Sequence, residues 1–336
     1  MLGMRFLGRA MWLTALLAAS AVNVTNAAFY DSVYEYDGPN APRYIAPRAA
    51  ADRRPQVALV LGSGGRRGFA HAGVLRALEA GGIKPDLIVG VSIGSIIGAL
   101  YAAGMTAVDV EQLALQFDLS TLRDLSWLHW GQIRGQKLEN FVNERVRHRP
   151  LESLGVRFAV VATRQHDGVM QIFNSGDTGV AVRASSAVPE RFYAVRIAGV
   201  TYIDGDVASP VPVRAARTLG ATVVIAVDIS ARIDNAPQGV PDEWLRIDRD
   251  RRKRIDAEMA FADVTIHPDL GYFAGTSGNY RTRVIAAAAE ATRAALPRIR
   301  AAIASKRATG AAVSTPSPTS PTAAAPPASP VPPAAR

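Results

Sequence analysis

Cysteine is missing from this chain of 336 residues. Its absence excludes a disulfide scaffold, a lipid-modified cysteine and thiol chemistry, and it is compatible with export. Histidine is scarce, with five residues, and no group of His, Asp and Glu has the spacing of metal ligands. We therefore predict that the protein holds no metal.

Nucleotide-binding motifs are missing as well. The stretch LGSGGRRGFAHAGVL (61–75) approaches G-x-G-x-x-G, but Arg67 stands where the third glycine is needed, and the chain has no Walker-type G-K-[ST]. We predict no cofactor and no nucleic-acid partner. The net charge of +9 instead favours anionic surfaces such as phospholipid headgroups.

The first 27 residues have the three-part pattern of a secretory signal peptide. A basic start with Arg5 and Arg9 precedes the apolar run MWLTALLAASAV, and small residues follow as far as Ala27. The apolar run is shorter than the roughly 20 residues that span a bilayer, although an uncleaved anchor or a buried first helix is the alternative. We expect an exported protein, periplasmic or secreted, whose mature chain starts near Ala28 or Phe29.

The rest of the chain predicts one folded domain between two irregular segments. With 49% hydrophobic and 20% charged residues, the composition is that of a globular protein. Residues 28–55 show no sustained period and contain several prolines, which indicates an extended lead-in. Residues 308–336 are rich in proline and alanine and predict a disordered tail. Residues 56–307 form the predicted domain.

Strand and helix patterns alternate along this domain. The apolar runs QVALVL (56–61), LIVGV (87–91), TVVIAVDIS (222–230) and ADVTIHP (262–268) are typical of buried strands, and RGFAHAGVLRALEAGG (67–82) is typical of a helix with a glycine stop. The turn His166-Asp167-Gly168 predicts a hairpin. The fold class is therefore α/β, with a mostly parallel sheet covered on both faces.

One turn in this pattern suits a serine nucleophile. Gly90-Val91-Ser92-Ile93-Gly94 is a G-x-S-x-G motif between an apolar strand and a helix of small residues. Flanking glycines allow the sharp turn that projects a serine hydroxyl above a sheet at a helix N-terminus. Backbone N–H groups of Gly64 and Gly65 could bind the oxyanion that an attacked carbonyl develops. The alternative is a glycine turn that only packs.

Two residues are candidates for the base. Asp204 ends the strand-like VTYI and precedes Gly205, whereas His267 would complete the chain order Ser, Asp, His of α/β-hydrolases. Chain order alone does not decide between them. His71, on a helix of small residues, is predicted to be a packed and hydrogen-bonded residue.

Three blocks of the chain resemble the signature blocks of the patatin-like phospholipases. They are SGGRRG (63–68), GVSIG (90–94) and RASSAVPERFYAVRIAGVTYIDGD (183–206), in the family's order and at similar spacing. The resemblance, to an exported bacterial member, implies a three-layer α/β/α fold with a central sheet. It also implies a Ser92–Asp204 dyad in place of a triad, with residues 63–68, the glycine-rich loop, as oxyanion hole. The residues associated with the motifs are Gly62, Arg67, Gly68, Gly90, Gly94 and Gly205.

The chain departs from the family pattern at two positions. Ser63 replaces the first glycine of the usual triplet, which leaves Gly64 and Gly65 as the expected oxyanion donors. The aspartate motif, commonly D-G-G or D-G-A, is Asp204-Gly205-Asp206. A second carboxylate could raise the pKa of Asp204 or point into solvent. We expect Asp206 to point into solvent.

Two stretches have the composition of lipid contacts. LSWLHWGQIRGQKL (125–138) sets Trp127 and Trp130 beside basic residues, and WLRIDRDRRKRIDAEM (244–259) predicts a helix with six basic residues. The alternative, which we favour, is a buried Trp pair and a solvated helix face with paired Asp residues. Peripheral contact with an anionic membrane is the other interpretation.

The resemblance implies a phospholipase A or lysophospholipase that acts on phospholipid or another acyl lipid through an acyl-enzyme. One alternative is a conventional esterase that uses His267. Another, from a different class, is a catalytically idle lipid-binding envelope protein that keeps the fold.

Overall fold

The computed structural model describes residues 35–47, 55–125 and 132–312. The predicted signal peptide, Trp127, Trp130 and the tail beyond Ala312 lie outside these residues. Within the described residues, the side chains are described except those of Leu119 and residues 309–312.

A single mixed sheet forms the centre of the described part of the chain. Its strands are β1 (Glu35–Tyr36), β2 (Val57–Leu61), β3 (Leu87–Val91), β4 (Arg157–Arg164), β5 (Met170–Phe173), β6 (Val195–Ile197), β7 (Val200–Asp204), β8 (Val223–Val227) and β9 (Val264–Ile266). Strands β4, β3, β2, β8 and β9 are consecutive neighbours and run parallel. Strands β5 and β7 pair antiparallel to β4, and β6 pairs antiparallel to β7. The prediction of a mostly parallel sheet is confirmed.

Helices cover both faces of this sheet. They are α1 (Ala70–Ala80), α2 (Ile93–Ala102), α3 (Ala107–Gln116), α4 (Gln136–Arg145), α5 (Thr178–Ser185), α6 (Val213–Thr218), α7 (Asp242–Met259) and α8 (Gly278–Ala312). Alternate strand residues enter two separate cores, because successive side chains of a strand point to opposite faces. Leu59 and Leu61 pack with Leu75 of α1, whereas Ala58 and Val60 pack with Val213 of α6. The predicted three-layer α/β/α fold is confirmed.

Both ends of the predicted domain differ from the sequence-based boundaries. The extended lead-in contributes β1, which pairs with β6, and Arg43 forms a bridge with Ser175. A strand of two residues has no period to detect, which is why the sequence pattern missed it. At the other end α8 continues to Ala312, past the predicted boundary at 307. Alanine has the highest helix propensity, so an alanine-rich segment can extend a helix that is already packed.

The register of β4 determines where the ends of two other strands meet. Strand β3 pairs with β4 as far as Val91 opposite Val161, and β7 pairs with it as far as Asp204 opposite Ala162. Strand β5 pairs with Val160 to Thr163 of β4, a stretch that overlaps both the residues paired with β3 and the residues paired with β7. Since a strand has only two edges, β3 and β7 share the edge that β5 leaves free. They run towards each other along this shared edge of β4, and their carboxyl ends meet there.

Candidate active site

Ser92 occupies the turn between β3 and α2, where the backbone is strained. Its φ of 52° and ψ of −124° lie outside the regions that residues with a side chain ordinarily adopt. Such a conformation costs about 1 to 3 kcal/mol and persists only where neighbours hold it. The Ser92 N–H donates to Ser185 Oγ at 2.8 Å, and Ser95 Oγ donates to the Ser92 carbonyl at 2.6 Å. These bonds hold the turn in place.

The two glycines of the G-x-S-x-G motif are required by close backbone contacts. A Cβ added to Gly94 would lie 2.1 Å from the Leu61 carbonyl oxygen, and one added to Gly90 would lie 2.6 Å from the Gly94 carbonyl oxygen. Real Cβ atoms do not approach so closely, so helix α2 can start this near β2 and β3 only with glycine at both positions.

Asp204 lies at the end of β7, on the shared edge of β4, and its carboxylate is held from two sides. Ser92 Oγ donates to Asp204 Oδ2 at 2.7 Å, and the backbone N–H of Asp206 donates to Asp204 Oδ1 at 2.8 Å. The side chain of Thr163 donates to the Asp204 carbonyl at 2.8 Å. Ser92 and Asp204 are 8% and 3% exposed, so this hydrogen bond is almost sealed from bulk water. The structure thus brings together the two residues that the family resemblance paired.

The glycine-rich loop presents two free backbone donors. The N–H groups of Gly62 and Ser63 are already used, since they donate to the Val227 and Pro210 carbonyls at 3.1 and 2.9 Å. The N–H groups of Gly64 and Gly65 have no acceptor within the described residues. Gly65 has a φ of +55° and opens a short 3₁₀-helix, Gly65–Phe69. These two amides therefore remain able to bind an oxyanion.

The remaining motif residues tie the loops of the site to their surroundings. Arg67 donates to the carbonyl of Tyr272, which links the glycine-rich loop to the loop after β9. Gly68 packs against Ile93, the residue after Ser92, and Gly205 packs against the Val161 carbonyl.

The ionisation of Asp204 is strongly perturbed. Burial, together with the smaller effect of the nearby negative charge of Asp206, raises the pKa of Asp204 from 3.8 to about 7. The hydrogen bonds from Asp206 N–H and Ser92 and the charge of Arg251 act in the opposite direction. A carboxyl that titrates near neutral pH suits proton transfer better than one of ordinary acidity.

The expectation that Asp206 points into solvent is wrong. Its carboxylate accepts hydrogen bonds from Ser63 Oγ and from Arg251 Nε, the latter at 2.9 Å. Burial by itself would raise the pKa of Asp206. The charge and hydrogen bond of Arg251 and the hydrogen bond from Ser63 together have a larger effect in the opposite direction, so the pKa of Asp206 lies below its usual value. The sequence could not show this, because Arg251 is one of six basic residues in its helix and only the fold distinguishes it.

Neither His267, the second candidate for the base, nor His71 contacts Ser92. His267 Nε2 lies 3.2 Å from the Ser230 carbonyl and 3.7 Å from Asp228 Oδ2. His71 is fully buried, its Nε2 lies 2.8 Å from the Gly62 carbonyl oxygen, and burial lowers the pKa of His71 to about 4. His71 is therefore the packed, hydrogen-bonded residue that the sequence predicted.

The basic helix, α7, is largely neutralised by ion pairs. Arg252 contacts Asp228 and Asp256 at 2.5 and 2.8 Å, and Lys253 contacts Asp250 at 3.1 Å. This is the pairing with Asp residues that the favoured alternative described. The other stretch, with its two tryptophans, lies outside the described residues.

The described residues contain neither a cluster of side chains that could bind a metal ion nor a helix that could span a membrane. Within them, no cluster of three or more His, Asp or Glu side chains is placed to hold a metal ion. None of the helices described is both long and apolar enough to cross a bilayer.

Comparisons with known proteins agree on one family. A model of the patatin-like phospholipases matches residues 59–217. Lysophospholipase NTE1 of Coccidioides immitis is 34% identical over an alignment of 203 residues that covers 57% of this chain and 13% of the fungal protein. An uncharacterized NTE family protein of Mycobacterium tuberculosis is 31% identical over an alignment of 214 residues that covers 61% of this chain and 58% of that protein. This chain thus spans less than two thirds of either relative.

One solved structure shares the fold. The crystal structure of VipD from Legionella pneumophila superposes with a TM-score of 0.53 at 14% identity, over 80% of this chain and 72% of that one. At this identity the likeness concerns the fold alone.

Replacement of Asp204 by Asn tests the raised pKa without a substrate. A carboxyl whose pKa is about 7 when folded and 3.8 when unfolded contributes stability that is fully present below the unfolded pKa and is lost as pH rises through the folded pKa. At about 1.36 kcal/mol per pKa unit, we expect the wild type to lose about 2 to 3 kcal/mol relative to Asp204→Asn between about pH 5 and about pH 8.

Urea unfolding at both pH values measures this difference. Asp234→Asn, at an exposed aspartate, is the matched control and should follow the wild type. A constant difference between wild type and Asp204→Asn across this range would contradict the raised pKa.

Proposed function

Because this chain belongs to the patatin-like phospholipase family through residues 59–217, we propose that it hydrolyses acyl esters of lipids with Ser92 as nucleophile and Asp204 as base. The observation that carries the proposal is the 2.7 Å hydrogen bond from Ser92 Oγ to Asp204 Oδ2, which joins two buried residues. A hydroxyl is a weak nucleophile on its own and is activated by an adjacent group that can take its proton.

The proposed reaction has two steps. In the first, Ser92 Oγ attacks the ester carbonyl, Asp204 accepts the proton, and the amides of Gly64 and Gly65 bind the oxyanion. Asp204 returns the proton to the departing alcohol or lysolipid. In the second, water attacks the acyl carbon on Ser92 and gives a proton to Asp204. The bond between Ser92 Oγ and the acyl carbon then breaks, Asp204 returns the proton to Ser92 Oγ, and the fatty acid leaves. Neither step calls for a cofactor.

The raised pKa of Asp204 supports its role in both directions of proton transfer. A base must be ionised at the working pH and yet hold a proton well enough to give it back. With a pKa of about 7, Asp204 meets both conditions near neutral pH, whereas a carboxylate of ordinary acidity would hold the proton too weakly.

An apolar pocket beside the site supports an acyl chain as the group transferred. It starts at Gly68 and Ile93, next to the glycine-rich loop and Ser92, and extends between α2, α3 and α4. All of its lining residues are apolar: Gly68, Phe69, Ile93, Ile96, Ile97, Leu100, Val110, Leu113, Ala114, Phe117, Leu122 and Phe141. Burial of each CH₂ group in such a pocket contributes about 0.8 kcal/mol. The fungal relative is named a lysophospholipase, which agrees with this substrate class.

Export and peripheral membrane contact belong to the same proposal. The support for export is the signal-peptide pattern of residues 1–27. For membrane contact the support is that Trp244 and Ile247 are 54% and 51% exposed, one helical turn apart at the start of α7. Interfacial aromatic and apolar side chains beside basic residues such as Arg246 suit an anionic lipid surface.

Hydrolysis should depend on Ser92 and Asp204 and not on His267. We expect Ser92→Ala and Asp204→Asn to lower kcat/KM by about a thousandfold or more, since each removes a group that acts in every turnover. His267→Ala should stay within about twofold of the wild type. Release of p-nitrophenol from a short ester and of fatty acid from a phospholipid measures these rates.

The outcomes separate the alternatives. Wild-type rates in Ser92→Ala would refute the proposal, and a folded but inactive His267→Ala would point to a conventional triad. A protein that binds vesicles but whose Ser92 resists a fluorophosphonate probe would be an idle lipid-binding protein.

Filling the apolar pocket should shorten the acyl chain that the enzyme accepts. Leu113→Trp, on α3 inside the pocket, is expected to lower kcat/KM about tenfold or more for a palmitoyl ester. The value for an acetyl ester should stay unchanged, because only the long chain extends into the volume that the Trp side chain fills. Leu115→Trp, two positions along the same helix but 37% exposed and outside this pocket, is the control. Equal losses on both esters would contradict an acyl pocket.

Export can be tested on the full chain in a Gram-negative host. We expect a mature protein that begins near Ala28 or Phe29 outside the cytoplasm, and Leu16→Arg should block processing because it interrupts the apolar run. N-terminal sequencing of the cell fractions measures this, and unprocessed protein in the cytoplasm would contradict export.

The purified mature protein should float with anionic vesicles more than with zwitterionic ones, because its net charge is positive. Equal flotation with both kinds of vesicle would contradict recognition of charge.

A further inference from the structure

Three side chains connect the glycine-rich loop, the segment Gly205-Asp206 that follows Asp204 (the Asp204 loop) and helix α7. Arg251 Nε donates to Asp206 Oδ1 at 2.9 Å, and an Arg251 terminal nitrogen donates to Ser63 Oγ at 2.7 Å and to the Ser63 carbonyl at 3.1 Å. Ser63 Oγ also donates to Asp206 Oδ1. The Arg251 side chain is 16% exposed, unlike its neighbour Lys253 at 78%. We call Ser63, Asp206 and Arg251 the bracing network.

Each member of the bracing network adjoins a group with a proposed catalytic role. Ser63 directly precedes Gly64, whose N–H is one of the two free donors of the loop. The backbone N–H of Asp206 donates to Asp204 Oδ1, so the residue that Arg251 holds also holds the base. Two members stand at the positions where the chain departs from its family's pattern, and glycine at 63 or 206 could form none of the side-chain bonds described.

We propose that Arg251 and Asp206 are a pair of positioning residues, which hold the glycine-rich loop against the Asp204 loop and balance their opposite charges to set the strength of Asp204 as a base. The inference rests on the proposed role of Asp204. Neither residue touches the reacting hydroxyl in the structure, so both act through Asp204 and the loop.

The two charges act on Asp204 in opposite directions. The negative charge of Asp206 favours the protonated form of Asp204, and the positive charge of Arg251 favours the ionised form. Other charged groups surround the bracing network: Arg254 of the same helix acts on Asp206, and Asp228 after β8 and Asp248 of α7 act on Arg251. Burial and, to a smaller extent, the positive charge of Arg251 lower the pKa of Arg67 in the glycine-rich loop. Substitution of either member of the pair removes none of these groups.

The pH profile of kcat/KM distinguishes this electrostatic role from a structural one. We expect Asp206→Asn to shift the midpoint of the acid limb down by about 0.5 to 1 unit, and Arg251→Met to shift it up by a similar amount. The double variant should bring the midpoint back towards the wild type because both charges are gone. A purely structural pair would lower the rate in all three variants and leave the midpoint in place.

Two further variants complete the design. Arg251→Lys keeps the charge but loses the two-pronged contact to Asp206 and Ser63, so we expect a lower kcat with the midpoint near that of the wild type. It also keeps the test decisive if Arg251→Met does not fold. Arg249→Met, an exposed arginine on the same helix, is the matched control and should leave both the rate and the midpoint unchanged.

The result that overturns the inference differs from the one that overturns the proposed function. Activity that persists in Ser92→Ala refutes the function itself. Activity that depends on Ser92, together with midpoints that stay fixed or move in the same direction in Asp206→Asn and Arg251→Met, refutes only the role of the pair.

Discussion

The meeting of β3 and β7 on the shared edge of β4 is the constraint on which the site depends. The two strands run towards each other and end opposite Val161 and Ala162, so the residue after one strand and the last residue of the other must be neighbours. Ser92 and Asp204 are separated by 112 positions in the chain, yet their side chains lie 2.7 Å apart. Any change that slips β7 along β4 would remove the partner of Ser92 while leaving both residues in the protein.

The chemistry of the site follows from the burial that this meeting produces. A carboxylate at the junction of two strands is shielded from water by the sheet and the helices, and this shielding is the main reason that the pKa of Asp204 is raised. A buried charge is costly, so it needs partners, and Ser92 and the Asp206 backbone provide them. The strained turn at Ser92 and, once Asp204 is ionised, its buried charge both destabilise the fold, and the surrounding structure holds them in place.

The bracing network adds a second layer of control to this arrangement. It joins α7, from the face of the sheet that carries α6, to the two loops that flank Ser92. Helix α7 therefore does more than cover the sheet: its Arg251 side chain is turned towards Ser63 and Asp206, whereas Lys253 pairs with the partly exposed Asp250 of the same helix. Through this position Arg251 supports the alignment of the glycine-rich loop with Asp204 that we propose.

The sequence by itself determined the α/β class, the nucleophile turn and the glycine-rich loop, because glycine spacing and apolar runs are local and leave a direct pattern. It also limited the candidates for the base to Asp204 and His267, and the family resemblance favoured Asp204. Only the tertiary structure decided that His267 contacts Ser230 and Asp228, and that Asp206 is held by Arg251. Those outcomes depend on strand register and on which of several arginines turns inwards, and both are set by packing between segments far apart in the chain.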